Sequence, residues 1–226
     1  VTLKTFTDLL PTRFEDEDFR QTFTRLAGRE VRRIDSLVNQ LLRFARPAKP
    51  HLTPMALHAV LQDSIQLVRQ RLKQNRIELD VKLDAPEDRI QGDAGLLEQA
   101  FVNFFLNAVA AMEPGGRLTV ATASSHTGGG GPRAAEGRFV EARISDEGKG
   151  IDPQHVARIF DPFFTTKSEG TGLGLAVTHG IVQEHHGTID VQSAPGYGTT
   201  FRVILPLLTK DAESEPGPAQ VQEETA

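Results

Sequence analysis

The chain has 226 residues, with 25 Lys or Arg against 30 Asp or Glu, so its formal net charge is −5. This length allows one large domain or two modest ones, and 38% hydrophobic with 24% charged residues is typical of a soluble globular protein. The lack of cysteine excludes disulfides, a thiolate metal site and a cysteine nucleophile. The charge balance shows no basic excess of the kind that nucleic-acid binders carry, and the longest apolar run, 100–112, is too short to span a bilayer.

Two helical segments are predicted at the start of the chain. Residues 1–10 carry apolar side chains at helical spacing, and residues 11–18 are polar and predict a turn. Within residues 19–46 apolar side chains recur in alternating steps of three and four, the a/d pattern of a packed helix. These positions are Val31, Ile34, Val38, Leu41 and Ala45. The pattern predicts a partial helical hairpin that packs with more helices from a second chain; the alternative is a helix packed on its own domain.

Prolines at positions 47 and 50 predict the end of this helical region, because proline cannot continue a helix. We therefore expect a linker at 47–52 and a second domain at 53–208. Beyond it, residues 209–226 are acidic and rich in Pro, Glu and Gln, and this composition predicts a disordered tail.

Mixed helices and hairpin-linked strands predict an α+β fold for the second domain, with helices on one face of a mixed sheet. The expected helices cover about 56–75, 95–112 and a segment ending near 185. The expected strands cover 77–83, 117–123, 138–145, 188–193 and 199–205. The glycine-rich insert 124–137 is predicted to be a hairpin loop, since it lacks the Lys-Ser/Thr and the helix that would follow a phosphate-binding loop.

Two asparagines, Asn103 and Asn107, lie one turn apart on one face of the predicted helix 95–112. The phenylalanines of that helix fall on another face. Amide oxygens at this spacing suit a hard cation such as Mg²⁺, which shares its coordination with phosphates and water. The alternative is a pair of solvent-facing or capping amides.

A second candidate begins at Asp146, at the end of a predicted strand. The alternation of that strand places Asp146 on the same side as its apolar residues. A carboxylate there needs hydrogen-bond donors, and a purine amino group is a suitable donor, with Gly148 and Gly150 letting the backbone approach the ring. The alternative is an ordinary hairpin turn.

A third and a fourth candidate follow in the chain. Residues 159–167 combine three phenylalanines with Lys167, which suggests a mobile segment anchored by aromatic side chains and a lysine that faces phosphate; the alternative is a loop packed on the core. Gly170, Gly172 and Gly174 then open a helix, and the free N–H groups of a helix start favour anions.

In their order and spacing these motifs resemble the ATP-binding domain of sensor histidine kinases. The motifs are Asn-x3-Asn, DxGxGI, FxPFFTTK, GTGLGLA and a final GTTF at 198–201. The helix that ends LLRFARP likewise resembles the second helix of their dimerisation and phosphotransfer domain. The PFFTTK run is similar to that of nitrogen-regulation-type kinases. The resemblance implies an α/β sandwich of the gyrase, Hsp90 and histidine kinase type, with ATP and Mg²⁺ as cofactors.

The resemblance also implies roles for individual residues. Asn107 matches the Mg²⁺ ligand, Asp146 the carboxylate that reads adenine, and Lys167 the lysine of the lid over the phosphates, while Thr199 and Thr200 match the last motif near the base. The full set of implied ATP-binding residues is Asn103, Asn107, Asp146, Gly148, Gly150, Lys167, Gly170, Thr171, Gly172, Leu173, Gly174 and Thr200.

One departure concerns the phosphoacceptor histidine, which this family carries on the first helix of the hairpin beside an acidic residue. None of the seven histidines lies in residues 1–46, so we expect a truncated kinase core that does not phosphorylate itself. A second acceptor at His185 or His186 is disfavoured, because one of them matches a structural histidine. Two other functions stay open: an ATPase of the gyrase/Hsp90 type, which needs a glutamate where this chain has Asn103, and a non-catalytic nucleotide-binding and dimerisation module.

The implied partners are a second copy, paired through the helical hairpin, and the receiver domain of a response regulator. No nucleic acid and no membrane contact are expected for these residues. The expected location is the cytoplasm, whether or not the parent protein is membrane-anchored.

Overall fold

A computed structural model describes residues 2–45, 50–112, 114–127, 136–167 and 170–208. Two helices open the chain, α1 (Thr2–Arg13) and α2 (Glu17–Ala45), and they pack against each other as the predicted hairpin. The predicted turn from residue 11 is wrong at its start, because Pro11 lies inside α1. Proline has no N–H to donate to the preceding turn, and α1 ends two residues after Pro11.

The apolar stripe predicted for α2 is partly visible. Val31 and Ile34 are about half exposed, so at these two positions the other described residues leave the stripe uncovered. The side chains of Val38, Leu41 and Ala45 lie outside the described part of the structure. Residues 46–49, which include the start of the predicted linker 47–52, and the predicted tail 209–226 also lie outside it.

The second domain is the expected α+β sandwich. Its helices are α3 (Leu57–Gln74), α4 (Ala94–Ala111), the short α5 (Pro153–Val156) and α6 (Gly174–Glu184). Its strands are β1 (Thr53–Ala56), β2 (Glu78–Leu83), β3 (Arg89–Gly92), β4 (Arg117–Thr127), β5 (Glu136–Asp146), β6 (Thr188–Ala194) and β7 (Gly198–Pro206). The main sheet has the order β2-β4-β5-β7-β6, with β2 parallel to β4 and the other pairs antiparallel. The small β1–β3 sheet and α5 were not predicted, because each has only four residues.

The glycine-rich insert is shorter than predicted. Strand β4 continues to Thr127 and β5 begins at Glu136, so residues 124–127 and 136–137 are paired strand with a register shift between Ser125 and Thr127. Cross-strand hydrogen bonds extend the hairpin beyond the point where the apolar alternation ends. Residues 128–135 lie outside the described part of the chain.

Helix α4 forms the centre of the core. Its Phe101, Phe104 and Phe105 are fully buried, and the Phe104 ring lies 4.8 Å from that of Phe201 on β7. By length and composition α4 is apolar enough to cross a membrane, but the packing of its phenylalanines on the sheet accounts for that apolarity. The apolar face of α4 thereby turns the face that carries Asn103 and Asn107 toward α6.

A buried histidine connects the end of α6 to the start of α4. His185 Nε2 accepts from the Asp93 backbone N–H at 2.9 Å, and its Nδ1–H donates to the Ile181 carbonyl at 2.7 Å. Asp93 in turn caps α4, because its Oδ1 accepts from the Leu96 N–H at 3.1 Å. Both ring nitrogens of His185 are occupied, as predicted for a structural histidine, and the contact aligns the two helices.

The next residue closes α6 with a left-handed turn. His186 has φ +56°, and the N–H groups of His186 and Gly187 donate to the carbonyls of Gln183 and Val182, both at 2.9 Å. This pattern is a Schellman motif, in which glycine is the preferred residue at the left-handed position.

We therefore expect His186→Gly to stabilise the domain by roughly 0.5–1 kcal/mol, since relief of the left-handed strain exceeds the added flexibility of the unfolded chain. Urea denaturation measures the change. The matched control is Gln183→Gly in the last turn of α6, where φ is negative, so that glycine there should bring no gain in stability. A loss of stability in His186→Gly would contradict this account of the turn.

Candidate functional site

A cavity of about 440 Å³ lies between α4, α6, the end of β5 and the segment 151–170. It is lined by Asn103, Asn107, Ala111, Asp146, Lys149, Gly150, Ile151, Asp152, His155, Ile159, Phe164, Thr165, Thr166, Lys167, Gly170, Thr171, Gly172, Gly174, Leu175, Thr199 and Phe201. The four separate sequence motifs therefore meet at a single concave site, which the spacing of the chain alone does not establish.

The two asparagines of α4 have different partners. Asn107 Oδ1 accepts from Lys167 Nζ at 3.0 Å, and Asn103 Nδ2 donates to Thr178 Oγ1 on α6 at 2.8 Å. The capping alternative is wrong, since Asp93 caps α4, and both amides instead line the cavity. One amide oxygen thus lies beside a cation, while the other amide connects two helices.

Asp146 is the buried carboxylate of the site, with 7% of its surface exposed. Its Oδ1 accepts from the Gly148 N–H at 2.9 Å. Burial raises the pKa of Asp146 above its ordinary value, while the N–H groups of Gly148 and Thr199 and the charge of Lys167 act in the opposite direction. The carboxylate therefore lacks the hydration that an exposed group would have, and a donor in the cavity would improve its environment.

The glycines after Asp146 are required by close backbone contacts. A Cβ on Gly148 would lie 2.8 Å from the Ala111 carbonyl oxygen at the end of α4. Gly150 has φ +72°, and a Cβ there would lie 2.0 Å from the carbonyl oxygen of Ala194 on β6. This turn therefore packs against two elements at once and forms the floor beside Asp146.

The segment 151–170 is fastened by aromatic contacts, as the sequence suggested. The Arg158 guanidinium lies 4.7 Å from the centre of the Phe164 ring, and the His155 ring lies 5.5 Å from it. Phe160 stacks on His179 of α6 with 5.0 Å between ring centres. Phe160 and Phe164 also pack against the core. At these two residues the alternative prediction, a loop packed on the core, therefore fits the structure as well.

Lys167 places a cation in the cavity. Desolvation lowers the pKa of Lys167, repulsion from Lys149 lowers it further, and Asp146 partly offsets both. Beside it, the start of α6 has no side-chain N-cap, and Gly174 and Leu175 of its first turn line the cavity. An ammonium group and an uncapped helix start together suit a multiply charged anion.

Most of the predicted residues line this cavity, but three do not: Gly148, Leu173 and Thr200. Gly148 lies beneath the Asp146 carboxylate, and Leu173 is buried at the start of α6. Thr200 hydrogen-bonds to Ser145 at 2.9 Å on the other face of the sheet, because the register pairs Thr199, and not Thr200, with Asp146.

Several lining residues were not predicted. Thr199 was expected only near the base, yet it shares the inward face of β7 with Phe201, and the strand alternation was sufficient to show this. The others divide into two groups. Lys149, Ile151, Ile159, Phe164, Thr165, Thr166, Leu175 and Phe201 lie within the motif segments but were not selected as site residues. Ala111, Asp152 and His155 lie outside these segments and come to the cavity only through the fold.

The sequence profile of the histidine kinase-, DNA gyrase B-, and HSP90-like ATPases matches residues 92–209, more than half of the chain. The chain belongs to this family. The matched region contains α4, the turn after Asp146, the segment 151–170 and α6. It is therefore the ATP-binding domain, and ATP is its nucleotide.

Individual relatives are sensor histidine kinases. The sensor histidine kinase ZraS of Klebsiella oxytoca is 39% identical over 180 residues, which cover 80% of this chain and 37% of that protein. The chain thus spans little more than a third of this relative. Among solved structures, full-length ShkA in complex with AMPPNP is 29% identical with a TM-score of 0.69, covering 85% of this chain and 39% of that one.

The fold alone is also similar to that of histidine kinase ThkA in complex with the response regulator protein TrrA. That chain is 20% identical with a TM-score of 0.71, and the match covers 92% of this chain and 57% of that one. The α+β architecture and its likeness to sensor histidine kinases are thereby confirmed, while the nitrogen-regulation subtype stays a prediction.

We expect Asp146→Asn to weaken ATP binding by about 1–3 kcal/mol, because an amide places a donor against the adenine amino group. Titration with a fluorescent ATP analogue measures the change. Asp152→Asn, which removes an exposed carboxylate from the same cavity, is the matched control and should change affinity less. Unchanged affinity in a folded Asp146→Asn variant would remove this carboxylate from the site.

The same substitution should not destabilise the nucleotide-free domain at neutral pH. The pKa of Asp146 is higher in the folded state than its ordinary value of 3.8. The group therefore stabilises the fold at pH values below 3.8, where it is protonated, and this contribution is lost as the pH rises through the folded-state pKa. Asparagine carries no charge at any pH. Thermal unfolding at pH 7 should give a midpoint equal to or above that of the parent chain. A clearly lower midpoint would contradict the conclusion that ionised Asp146 destabilises the empty domain.

We further expect the segment 152–170 to be mobile without nucleotide and to become ordered with Mg-ATP, since ligand-binding lids belong to the least stable parts of a fold. Hydrogen exchange at 161–167 should slow on addition of Mg-ATP, whereas the central strand β5 serves as the control. Equal protection of 161–167 with and without nucleotide would exclude an ordering lid.

Proposed function

We propose that this chain is the ATP-binding catalytic core of a sensor histidine kinase. It would bind Mg-ATP in the cavity and transfer the γ-phosphate to a histidine that is not one of its own seven. The observation that carries this proposal is the meeting of Asp146, Asn107 and Lys167 in one cavity, with Lys167 Nζ 3.0 Å from Asn107 Oδ1. A base-binding end and a phosphate-binding end are thereby available in one site.

The adenine is proposed to lie over the turn at Gly148 and Gly150, where Asp146 accepts from its amino group. At the other end Lys167, Asn107 and the uncapped start of α6 meet the phosphates. Each contact pairs groups of complementary chemistry: a buried acceptor with an amino donor, and a cation and free N–H groups with phosphate oxygens.

Mg²⁺ would be held mainly by the nucleotide. Among the described residues no group of three or more His, Cys, Asp or Glu is arranged to hold a metal ion. The oxygen of Asn107 is a hard neutral ligand that lines the cavity, which fits an ion that takes one protein ligand and completes its shell with phosphate oxygens and water. When bound, the ion would neutralise phosphate charge.

In the proposed reaction an imidazole nitrogen attacks the γ-phosphorus, and the bond from that phosphorus to the β–γ bridging oxygen breaks. ADP leaves, and the imidazole proton passes to a base beside the acceptor. Phosphoryl transfer asks a protein mainly to position reactants and to offset charge. The residues of this chain would do both. Asp146 and the glycine turn would orient the adenine, and the ammonium group of Lys167 would offset the negative charge of the phosphates.

A gyrase/Hsp90-type hydrolase is less well supported. Such an enzyme needs a glutamate to activate water, and the corresponding position holds Asn103, whose Nδ2 donates to Thr178. The described carboxylates that line the cavity are Asp146 and Asp152, and both already accept backbone N–H groups, from Gly148 and Gln154. This leaves the histidine kinase or, as the second candidate, a non-catalytic nucleotide-binding module.

The proposed partners follow from the exposed stripe of α2 and from the relatives. Val31 and Ile34 offer apolar surface for pairing with a second copy through the hairpin. The receiver aspartate of a response regulator would take the phosphate in the next step, as the complex of ThkA with TrrA suggests by analogy. We place the domain in the cytoplasm and expect it to contact neither nucleic acid nor membrane.

Incubation of this chain alone with radiolabelled ATP should leave it unlabelled. Its histidines include His185, which is buried with both ring nitrogens hydrogen-bonded. Mixed with a longer parental chain that has the acceptor histidine but carries Asp146→Asn, it should label that longer partner, weakly, because only part of the hairpin is available for pairing. Acid-labile phosphate on this chain would place the acceptor within it, and failure to label the partner despite ATP binding would favour the non-catalytic module.

A further inference from the structure

We infer that Thr178 is a positioning residue of the nucleotide site. Its hydroxyl holds the Asn103 amide in one orientation at the end of the cavity where the phosphates are proposed to bind. The inference rests on the proposed function and adds a residue that no sequence motif indicates. Thr178 lies on α6, is 1% exposed and is not itself part of the cavity lining. Any effect of Thr178 on nucleotide must therefore pass through a neighbour.

The hydrogen bonds of Thr178 determine which way the Asn103 amide faces. The Thr178 hydroxyl donates to the Gly174 carbonyl at 2.9 Å, one turn earlier in α6. A hydroxyl has a single hydrogen, so toward Asn103 its oxygen can only accept. The partner at 2.8 Å must then be Asn103 Nδ2, and the amide oxygen is turned away from Thr178.

The oxygen of Asn103 consequently lies against the first residue of α6. A Cβ on Gly174 would lie 2.6 Å from Asn103 Oδ1, so only a glycine allows this approach of amide and backbone. Both Asn103 and Gly174 line the cavity, and the next turn of α4 carries Asn107, which contacts Lys167. One hydroxyl thus connects the Asn103 amide of α4 to the uncapped start of α6, where the phosphates are proposed to bind.

A purely structural role for Thr178 makes a different prediction. The same kind of hydrogen bond, from a side-chain hydroxyl to the carbonyl four residues earlier, also occurs away from the cavity. Ser64 is fully buried in α3 and donates to the Val60 carbonyl at 2.7 Å. None of the residues lining the cavity comes from α3. Ser64→Ala therefore removes the same kind of hydrogen bond far from the nucleotide and serves as the matched control.

The experiment compares Thr178→Val, which keeps the shape and removes the hydroxyl, with Thr178→Ser, which keeps the hydroxyl. Calorimetry gives the affinity for Mg-ATP, and amide chemical shifts give the affinity for adenosine, which has no phosphates. We expect Thr178→Val to weaken Mg-ATP binding about five- to tenfold, the effect of one hydrogen bond, and to leave adenosine binding unchanged. Thr178→Ser and Ser64→Ala should bind both ligands like the parent chain.

A second comparison tests the route through Asn103. If Thr178 acts by orienting that amide, Thr178→Val should have no further effect on Mg-ATP affinity in an Asn103→Ala background. Should Thr178→Val fail to fold, Thr178→Ala replaces it in both comparisons.

Each result has one meaning. Equal losses of Mg-ATP and adenosine affinity, no loss of either, or an undiminished effect in the Asn103→Ala background would overturn the inference. Failure of the parent chain itself to bind Mg-ATP would instead overturn the proposed function.

Discussion

The packing of helix α4 on the sheet is the contact on which the rest of the structure depends. Phe101, Phe104 and Phe105 are fully buried, and each contributes on the order of 1.5–3 kcal/mol by leaving water. Because a helix has only one orientation that buries such a face, the polar face with Asn103 and Asn107 is aimed at α6 as a consequence. The stability of the core and the geometry of the site are therefore set by the same helix.

A buried carboxylate stands at the centre of the site and shows the tension between stability and binding. Asp146 lies at the end of β5 on the inward face, where burial raises its pKa and makes ionisation unfavourable for the fold. The N–H groups of Gly148 and Thr199 offset part of that cost. An N–H donor on a ligand would offset more of it, so the burial that weakens the empty domain also favours a ligand that donates to this carboxylate.

The other end of the cavity is held together by few polar contacts among larger apolar ones. Phe160 and Phe164 anchor the segment 151–170 to α6 and to the core, whereas Lys167 reaches α4 through a single hydrogen bond to Asn107. A lone bond of this kind is weak enough to be exchanged for phosphate contacts. The aromatic anchors can stay in place while the lysine changes its partner.

The sequence by itself determined the α+β class, the helical hairpin, most of the element positions and the residue types of the site, because these follow from local periodicity and from motif order. Thr199 also followed from the alternation of β7, although Thr200 was chosen. Only the tertiary structure decided the partners: that Lys167 meets Asn107, that Asn103 donates to Thr178, and that residues outside the motifs such as Ala111 and His155 line the cavity. These contacts join residues 60 and 75 positions apart, and long-range contacts of that kind depend on how helices pack on a sheet, which no local pattern encodes.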